Sequence, residues 1–434
     1  MSEAAVTVIG GGLAGSEAAW QIARRGIKVV LKEMRPLAST LVHRTGWLAE
    51  LVCSNSFRSN ELTAAPGLLK EEMRRMNSLI ISCADAWQVP AGKALAVDRE
   101  KFARAVTEAV ETHPLIEVVR EEAVSIGEDR PLVIASGPLT SPPLAAAISE
   151  LTGKDYLYFF DAVAPIVTLD SLDLSVMFWG SRYQGEGDYL NAPLNAEQYE
   201  RFYQELLKAE RAPVKEFDRP CYFESCLPIE VLAERGKDTL RFGPMKPVGL
   251  RDPRTGKEPY AVVQLRQDNR EGTLFNLVGF QTQLRWEEQD RVLRLIPGLE
   301  NAEFVRYGVM HRNLYIHSPQ LLLPTFQLRN EPTIFFAGQI TGVEGYIESA
   351  ASGLVAGINA ARLAKGEELL VFPPETALGA LSHYITTAVN PHFQPMHINF
   401  GLFPPLPARI RDRKRRNALL AERALKYLDD YTEF

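Results

Sequence analysis

Residues 6–35 read VTVIGGGLAGSEAAWQIARRGIKVVLKEMR and are the most informative segment of this chain. Residues 6–9 are apolar and β-branched, which predicts a strand, and the segment after the glycines repeats apolar positions at helical spacing. Between them, Gly10, Gly12 and Gly15 have the G-x-G-x-x-G spacing. In a strand–turn–helix unit such glycines allow a tight turn, close approach of the backbone to a pyrophosphate, and close packing of helix on strand. The segment therefore predicts a Rossmann-like dinucleotide site.

The same unit supplies an acidic residue at the expected distance. Glu33 follows a second predicted strand, about 20 residues beyond the glycines, where a carboxylate can accept the hydroxyls of an adenosine ribose. The start of the intervening helix faces the phosphates. We predict that this unit binds the cofactor through Gly10, Gly11, Gly12, Leu13, Ala14, Gly15 and Glu33.

A second strand–glycine–helix unit lies late in the chain. From Thr333 the sequence reads TIFFAGQITGVEGYIESAASGLVAGINAARLAKG, with Gly338 and Gly342 in the loop between an apolar strand and a small-residue helix. Two-part FAD folds close the flavin site with a late unit of this kind, so the pair of glycine loops points to FAD more than to NAD. Tyr346 in this loop and Trp286 are weaker candidates for the flavin pocket.

The region between the two units has a different composition and pattern. Residues 151–324 are rich in aromatics, prolines and polar turns, with scattered short strand patterns. We predict an α/β protein in which a discontinuous Rossmann-like FAD-binding domain, residues 1–150 and 325–434, carries an inserted α+β substrate domain, residues 151–324. The second part of the FAD-binding domain ends in a basic C-terminal tail.

Three segments of the first part carry predictions of their own. Residues 95–113 predict one amphipathic helix. Residues 50–60, ELVCSNSFRSN, are polar and predict a loop or helix entry. Cys83 lies in an apolar run at residues 79–84, so we expect it to be a small buried hydrophobe.

Composition sets the broad class. The chain has 434 residues, 46% hydrophobic and 24% charged, with a net charge of -6, which is typical of a globular protein. We expect no secretory signal and no membrane span, and hence a cytoplasmic location in which the four cysteines are reduced. The histidines show no metal-ligand spacing, so we predict no metal site.

Several segments together resemble the bacterial folate- and FAD-dependent tRNA (uracil-5-)-methyltransferases. In chain order they include GGGLAGSEAAWQIARRGIKV, AELVCSNSFRSN, PAGKALAVDR, TGKDYLYFFDAVAPIV, ESCLPIEVLAERG, RFGPMKPVGL, LVGFQTQLRW, RYGVMHRN, FFAGQITGVEGYIESAASGLVAGINAA and NFGLFP. The glycine loops are shared by many flavoproteins, whereas the runs around Cys53, Met245 and His311 are much more specific. The resemblance covers nearly the whole chain.

The resemblance implies a reaction and its participants. It implies formation of 5-methyluridine in the T-loop of tRNA, with 5,10-methylenetetrahydrofolate as carbon donor, FADH2 as reductant and NAD(P)H as the reductant of the flavin. It assigns Cys226 as the thiol that attacks C6 of uracil and Cys53 as the partner that handles the C5 proton. It also implies that His311 stacks on the folate pterin.

Thiol chemistry agrees with this assignment. C5 of uracil is a poor nucleophile until a group adds at C6, and a thiolate suits that role when positive charge or a helix N-terminus lies nearby. Cys226 stands just before a helical pattern at residues 229–235, and Cys53 lies in a polar stretch with Arg58 nearby.

Three other functions remain open on the sequence. Cys221 and Cys226 have the spacing of the redox pair in some flavin disulfide reductases, although those enzymes place the pair soon after the first glycine motif. A related folate- and FAD-dependent protein modifies the anticodon loop of tRNA, usually with a partner protein. The non-enzymatic alternative is an FAD-containing RNA-binding protein.

Two basic groups are candidates for contact with tRNA phosphates. The first is the tract RIRDRKRR at residues 409–416. The second is a looser group near Cys226, made of Arg241, Lys246, Arg251, Arg254 and Lys257. Phosphate contacts by either group would make tRNA binding fall steeply with salt.

Overall fold

The computed structural model describes residues 5–40, 42–154, 156–182, 187–213, 227–388 and 393–431. The strands are β1 (Ala5–Ile9), β2 (Lys28–Glu33), β3 (Ser56–Ser59), β4 (Gln88–Val89), β5 (Ala94–Val97), β6 (Ile116–Arg120), β7 (Leu132–Ile134), β8 (Leu157–Ala162), β9 (Ile166–Thr168), β10 (Phe178–Gly180), β11 (Tyr189–Leu194), β12 (Ala261–Gln267), β13 (Leu274–Leu277), β14 (Phe304–Arg306), β15 (Met310–Tyr315) and β16 (Ile334–Phe336). The helices are α1 (Leu13–Arg24), α2 (Ala65–Arg75), α3 (Leu79–Ala86), α4 (Arg99–Glu111), α5 (Pro142–Thr152), α6 (Ala196–Lys208), α7 (Ile229–Glu234), α8 (Thr239–Phe242), α9 (Trp286–Leu293), α10 (Ser318–Leu321), α11 (Tyr346–Lys365), α12 (Ala377–Thr387) and α13 (Arg413–Tyr431).

A five-stranded parallel sheet forms the centre of the nucleotide-binding layer. Its order is β16-β7-β1-β2-β6, so a strand from late in the chain completes a sheet begun by the first strands. Parallel strands covered on both faces are apolar throughout, and Val6 and Val8 in β1 are fully buried. This is the Rossmann-type α/β fold that the sequence predicted.

The two helices that follow the glycine loops pack against each other. Gly353 of α11 faces the backbone of α1, and a Cβ at this position would lie 2.2 Å from the carbonyl oxygen of Ala14. The small residues of α11 therefore let its axis approach α1 closely, which brings the early and late glycine loops to the same end of the sheet.

A second layer contains a six-stranded antiparallel sheet, β10-β11-β12-β13-β9-β14. Its buried face includes Val263, Leu265 and Phe275, which pack with residues of α6 and α9 in a separate hydrophobic cluster. Two smaller sheets, β15-β8 and β3-β5-β4, complete the fold. Among the described ranges no helix combines the length and apolarity needed to cross a membrane.

Two local predictions were wrong. The segment 95–113 is a strand followed by a helix, because Asp98 accepts a hydrogen bond from the Lys101 N–H at 2.9 Å and caps α4. The polar stretch 50–60 contains β3, which is a strand because it pairs with β5 about 40 residues later in the chain.

Candidate active site

The two glycine loops border one open cleft at the carboxyl ends of β1, β2 and β7. The cleft contains about 1010 Å³ of space not filled by protein atoms. Ligands of open α/β sheets bind at this edge. The predicted cofactor residues that line the cleft are Gly10, Gly12, Leu13, Ala14, Glu33, Gly338 and Tyr346.

Two positions of the first glycine loop accept no residue larger than glycine, because a Cβ there would clash with the backbone. Gly10 has φ +100°, and a Cβ there would lie 2.5 Å from the Ala135 carbonyl oxygen. A Cβ on Gly15 would lie 1.7 Å from the carbonyl oxygen of Gly10. Gly12 begins α1 without a side-chain cap and has open space around it. The start of α1 therefore offers uncapped backbone donors to an anion, and these residues fit a dinucleotide.

Glu33 holds the loop in shape and faces the same cleft. Its carboxylate accepts hydrogen bonds from the Gly11 N–H at 2.7 Å and from the Arg35 Nε at 2.8 Å. Burial opposes ionisation of Glu33, but the bonds and charge of Arg35 and the Gly11 N–H outweigh it and lower its pKa. Glu33 is thus an ionised acceptor beside the cleft, as recognition of ribose hydroxyls requires.

Four predicted cofactor residues do not line this cleft in the described part. Gly11 and Gly15 support the lining residues instead. The Gly11 N–H donates a hydrogen bond to the Glu33 carboxylate, and Gly15 packs against the Gly10 carbonyl group. Gly342 packs against the ring of Phe393. Trp286 begins α9 in the second layer, is 61% exposed and stacks on Tyr307 with ring centroids 5.5 Å apart. The structure therefore does not bring Trp286 to the predicted flavin pocket, because α9 packs on the antiparallel sheet instead.

Cys53 lies beside the cleft. Its backbone N–H donates to the Tyr346 hydroxyl at 2.7 Å, and its Sγ lies 3.7 Å from the Ala162 carbonyl oxygen. The side chain is partly exposed, as expected for a reactive thiol and unlike Cys83, which is buried in α3. Burial raises the pKa of Cys83 to about 12, so Cys83 is an inert core residue, as predicted.

Two other predicted residues fall where the structure gives no side chain. Cys226 lies outside the described residues, as does Cys221, and the helix predicted to follow Cys226 is present as α7. The backbone of His311 belongs to β15 and pairs with Asp161 in β8, but its side chain is outside the described part. The roles of these residues remain predictions.

Sequence reasoning missed three arginines that surround the Cys53 segment. Arg99 of α4 donates to the carbonyl oxygens of Leu51 and Cys53, Arg306 of β14 to that of Val52, and Arg266 of β12 to the Asn55 side chain. Asp268 pairs with Arg99 at 2.9 Å.

Arg306 has no carboxylate partner among the residues described. Burial and the charge of Arg99 lower its pKa to about 10. A buried cation of this kind beside a thiol favours an anion in its neighbourhood. The sequence feature that could have indicated this role is an arginine within a short strand pattern. Arginine is seldom buried unless its charge has a structural or functional partner.

A second missed group links the thiol segment to α11. Glu348 is fully buried and accepts hydrogen bonds from Arg58 Nη1 at 2.9 Å and from the Ile398 N–H at 3.0 Å. His397 Nδ1 lies 2.8 Å from Arg58 Nη1. Burial raises the pKa of Glu348, and burial with the charge of Arg58 lowers the pKa of His397 to about 4. His397 is therefore neutral at neutral pH.

Comparison with known proteins agrees with this architecture. The family model described as Glucose inhibited division protein A matches residues 5–368. Two crystal forms of Aquifex aeolicus GidA share the fold, with TM-scores of 0.70 and 0.71 at 19% and 18% sequence identity. They cover 99% of this chain and 73% and 76% of those chains.

Curated relatives are much more similar in sequence. A protein of Desulforamulus reducens is 63% identical over 434 residues, covering 100% of this chain and 98% of its own. A protein of Moorella thermoacetica is 64% identical over 430 residues, covering 99% and 98%. Both are named methylenetetrahydrofolate–tRNA-(uracil-5-)-methyltransferase TrmFO. The chain therefore belongs to the glucose inhibited division protein A family and, within it, to the methylenetetrahydrofolate–tRNA-(uracil-5-)-methyltransferases.

Proposed function

We propose that this protein methylates C5 of a uridine in the T-loop of tRNA, in the cytoplasm, with 5,10-methylenetetrahydrofolate as carbon donor. FADH2 is the reductant, and NAD(P)H reduces the flavin. The observation that carries the proposal is the position of Cys53, a partly exposed residue whose backbone N–H is bound by Tyr346, which lines the dinucleotide cleft. The names of relatives that are more than 60% identical over the full chain supply the substrate and the carbon donor.

The chain's residues divide the binding of FAD between the two loops. Gly10, Gly12 and the start of α1 hold the pyrophosphate, and Glu33 holds the adenosine ribose. Gly338 and Tyr346 border the cleft from the late loop. Bound FAD supplies the reducing equivalents that a methylene group needs to become a methyl group.

The two thiols act on the uridine. The Cys226 thiolate forms a bond to C6, which places electron density on C5 and makes it nucleophilic. After C5 has bonded to the one-carbon unit, Cys53 accepts the C5 proton while the bond from that carbon to its carrier breaks, which leaves an exocyclic methylene at C5. This methylene gains a hydride from the reductant and becomes the methyl group, and the Cys226 sulfur leaves C6. Arg306 and Arg99 hold the backbone on both sides of Cys53, so this thiol stays beside the cleft.

Nucleoside analysis tests the reaction. Transfer RNA that lacks 5-methyluridine is incubated with the protein, 5,10-methylenetetrahydrofolate and NAD(P)H, with and without S-adenosylmethionine. We expect 5-methyluridine at a T-loop position without S-adenosylmethionine. A product that required S-adenosylmethionine, or a modification mapped to the anticodon loop, would contradict the proposal.

A trapping experiment tests the nucleophile. Transfer RNA carrying 5-fluorouridine cannot release the C5 substituent as a proton, so the C6 adduct should accumulate as a covalent protein–RNA species. We expect this species with the unchanged protein and none with Cys226→Ala. Cys83→Ala is the matched control, because that thiol is buried away from the cleft.

A further inference from the structure

A second cleft is bordered by Arg58, which lies in the chain segment that follows Cys53. It contains about 1200 Å³ of unfilled space between the start of α2, residues 398–401 and the start of α13. Four cationic side chains line it: Arg58, Arg413, Lys414 and Arg416. We call it the basic cleft.

The cations of α13 in this cleft have no ion-pair partner in the part of the chain that the structure describes. Arg413, Lys414 and Arg416 are exposed, and within the described ranges no carboxylate forms an ion pair with them. The nearest acidic residue in the chain, Asp412, accepts a hydrogen bond from the Arg415 N–H at the start of α13. Three positive charges at the start of α13 therefore face solvent with no counterion among the described residues.

Two arginines of the other basic group of the sequence differ in this respect. Arg241 pairs with Asp238 at 2.8 Å, and its guanidinium covers the Tyr260 ring at 3.7 Å. Arg254 pairs with Asp252 at 2.8 Å. Two of the five cations in that group are therefore already paired, whereas the three cations of α13 line one cleft and have no paired carboxylate among the described residues, so the basic cleft is the better surface for an external polyanion.

The basic cleft and the Cys53 thiol lie close to the same helix start. Arg58 lines the cleft and donates to Glu348 in the first turn of α11. Tyr346, two residues before Glu348, accepts the hydrogen bond from Cys53. A ligand that fills the cleft therefore meets Arg58, whose partner Glu348 lies in the same helical turn as the tyrosine that binds the Cys53 backbone.

We propose that the basic cleft binds the phosphate backbone of the tRNA substrate, through Arg413, Lys414 and Arg416, and so presents the RNA to the Cys53 side of the active site. This inference rests on the proposed function. Phosphate contacts position an RNA without reading its bases. Each contact releases counterions, so each should add about 0.7 to 0.9 to the slope of log affinity against log salt.

The experiment compares two triple variants of the full-length protein with FAD bound. Arg413→Gln/Lys414→Gln/Arg416→Gln removes the three charges of the cleft. Arg104→Gln/Arg201→Gln/Lys208→Gln removes three exposed charges on α4 and α6, away from it. Binding of unmodified tRNA is measured between 50 and 300 mM salt, a range of about sixfold in concentration. The Michaelis constant for tRNA, kcat and NAD(P)H oxidation without tRNA are also measured.

We expect the cleft variant to lose roughly 2 to 3 units of salt slope and to bind tRNA at least about tenfold more weakly near physiological salt. The kcat of the cleft variant at saturating tRNA and its oxidation of NAD(P)H should stay unchanged. The control variant should keep all of these values, apart from a small loss of non-specific electrostatic attraction to tRNA. Arg413→Lys/Arg416→Lys, which keeps the charge, should retain the slope.

An unchanged salt slope and tRNA affinity in the cleft variant would overturn the inference, and methylation by that variant would leave the proposed function intact. If the unchanged protein bound tRNA with the cleft-dependent slope but formed no 5-methyluridine, the proposed function would fail while the binding surface stood. An equal loss in both triple variants would also overturn the inference, because it would show a diffuse effect of net charge.

Discussion

The Tyr346 hydroxyl accepts a hydrogen bond from the Cys53 backbone N–H at 2.7 Å, although the two residues are 293 positions apart in the chain. Tyr346 begins α11 and lines the dinucleotide cleft. The bond therefore ties the thiol segment to the late glycine loop. Burial raises the pKa of Tyr346, so the phenol stays protonated and neutral at physiological pH.

Tyr346→Phe should loosen the thiol segment without emptying the cleft. It leaves the Cys53 N–H without its acceptor, which costs about 1 to 3 kcal/mol when the group is desolvated. We expect a lower midpoint of urea unfolding and slower methylation, with flavin still bound. Tyr427→Phe on the exposed face of α13 is the control. Equal behaviour of the two variants would show that the bond has no role.

Gly15→Ala should abolish flavin binding. The added Cβ would lie 1.7 Å from the Gly10 carbonyl oxygen, so α1 must move away from the turn that approaches the pyrophosphate. The measurement is the flavin absorbance of the purified protein relative to its protein absorbance. Gly127→Ala is the control, because a Cβ there meets nothing within 4 Å. Retention of a full complement of flavin by Gly15→Ala would refute the assigned cradle.

Arg99→Ala should destabilise the protein far more than a surface arginine does. Asp268, which is 4% exposed, would be left buried without its cation, and the Leu51 and Cys53 carbonyls would lose a donor. Breaking a buried pair in this way costs about 3 to 5 kcal/mol. Arg104→Ala on the same helix removes an exposed pair with Glu100 and should cost at most about 1 kcal/mol. Urea unfolding of both variants measures the difference.

Lys70 should make stability rise with pH above neutrality. Its Nζ donates to the carbonyl oxygens of Phe57 and Ser59 at 2.9 and 2.7 Å, and burial lowers its pKa to about 7, against the opposing charge of Glu348. Between pH 7 and the unfolded pKa of 10.5, the unfolded chain holds a proton that the folded chain has lost. Stability should therefore increase by up to about 1.4 kcal/mol per pH unit in this window and be level below it.

Lys70→Met removes this titration and keeps the length of the side chain. The unfolding midpoint of the unchanged protein is followed from pH 7 to pH 9.5 beside that of the variant. The unchanged protein should gain stability relative to Lys70→Met across the range. Parallel curves would mean that the ammonium group stays charged in the folded protein, with the carbonyl oxygens of Phe57, Ser59 and Pro66 compensating for burial.

The nucleotide-binding half of the fold was predictable because its signals are local. The glycine spacing, the apolar strands and the helical periodicity of residues 6–35 each act within a few residues, and β1, α1 and β2 appear where they indicate. The late unit at β16 and α11 was predictable for the same reason. The prediction of one helix over residues 95–113 was wrong at its start, because apolar periodicity does not show that the Asp98 side chain caps α4 and that the residues before it pair as a strand.

The sequence by itself determined that this chain binds a dinucleotide, because the spacing of the glycines sets the backbone conformation of the turn. It also determined which family the chain resembles, because long segments match that family's motifs. Only the tertiary structure decided which residues surround Cys53. Arg99, Arg306 and Tyr346 reach it from two helices and a strand that are distant in sequence. Contacts of this kind depend on how the sheets and helices pack, and no local periodicity records them.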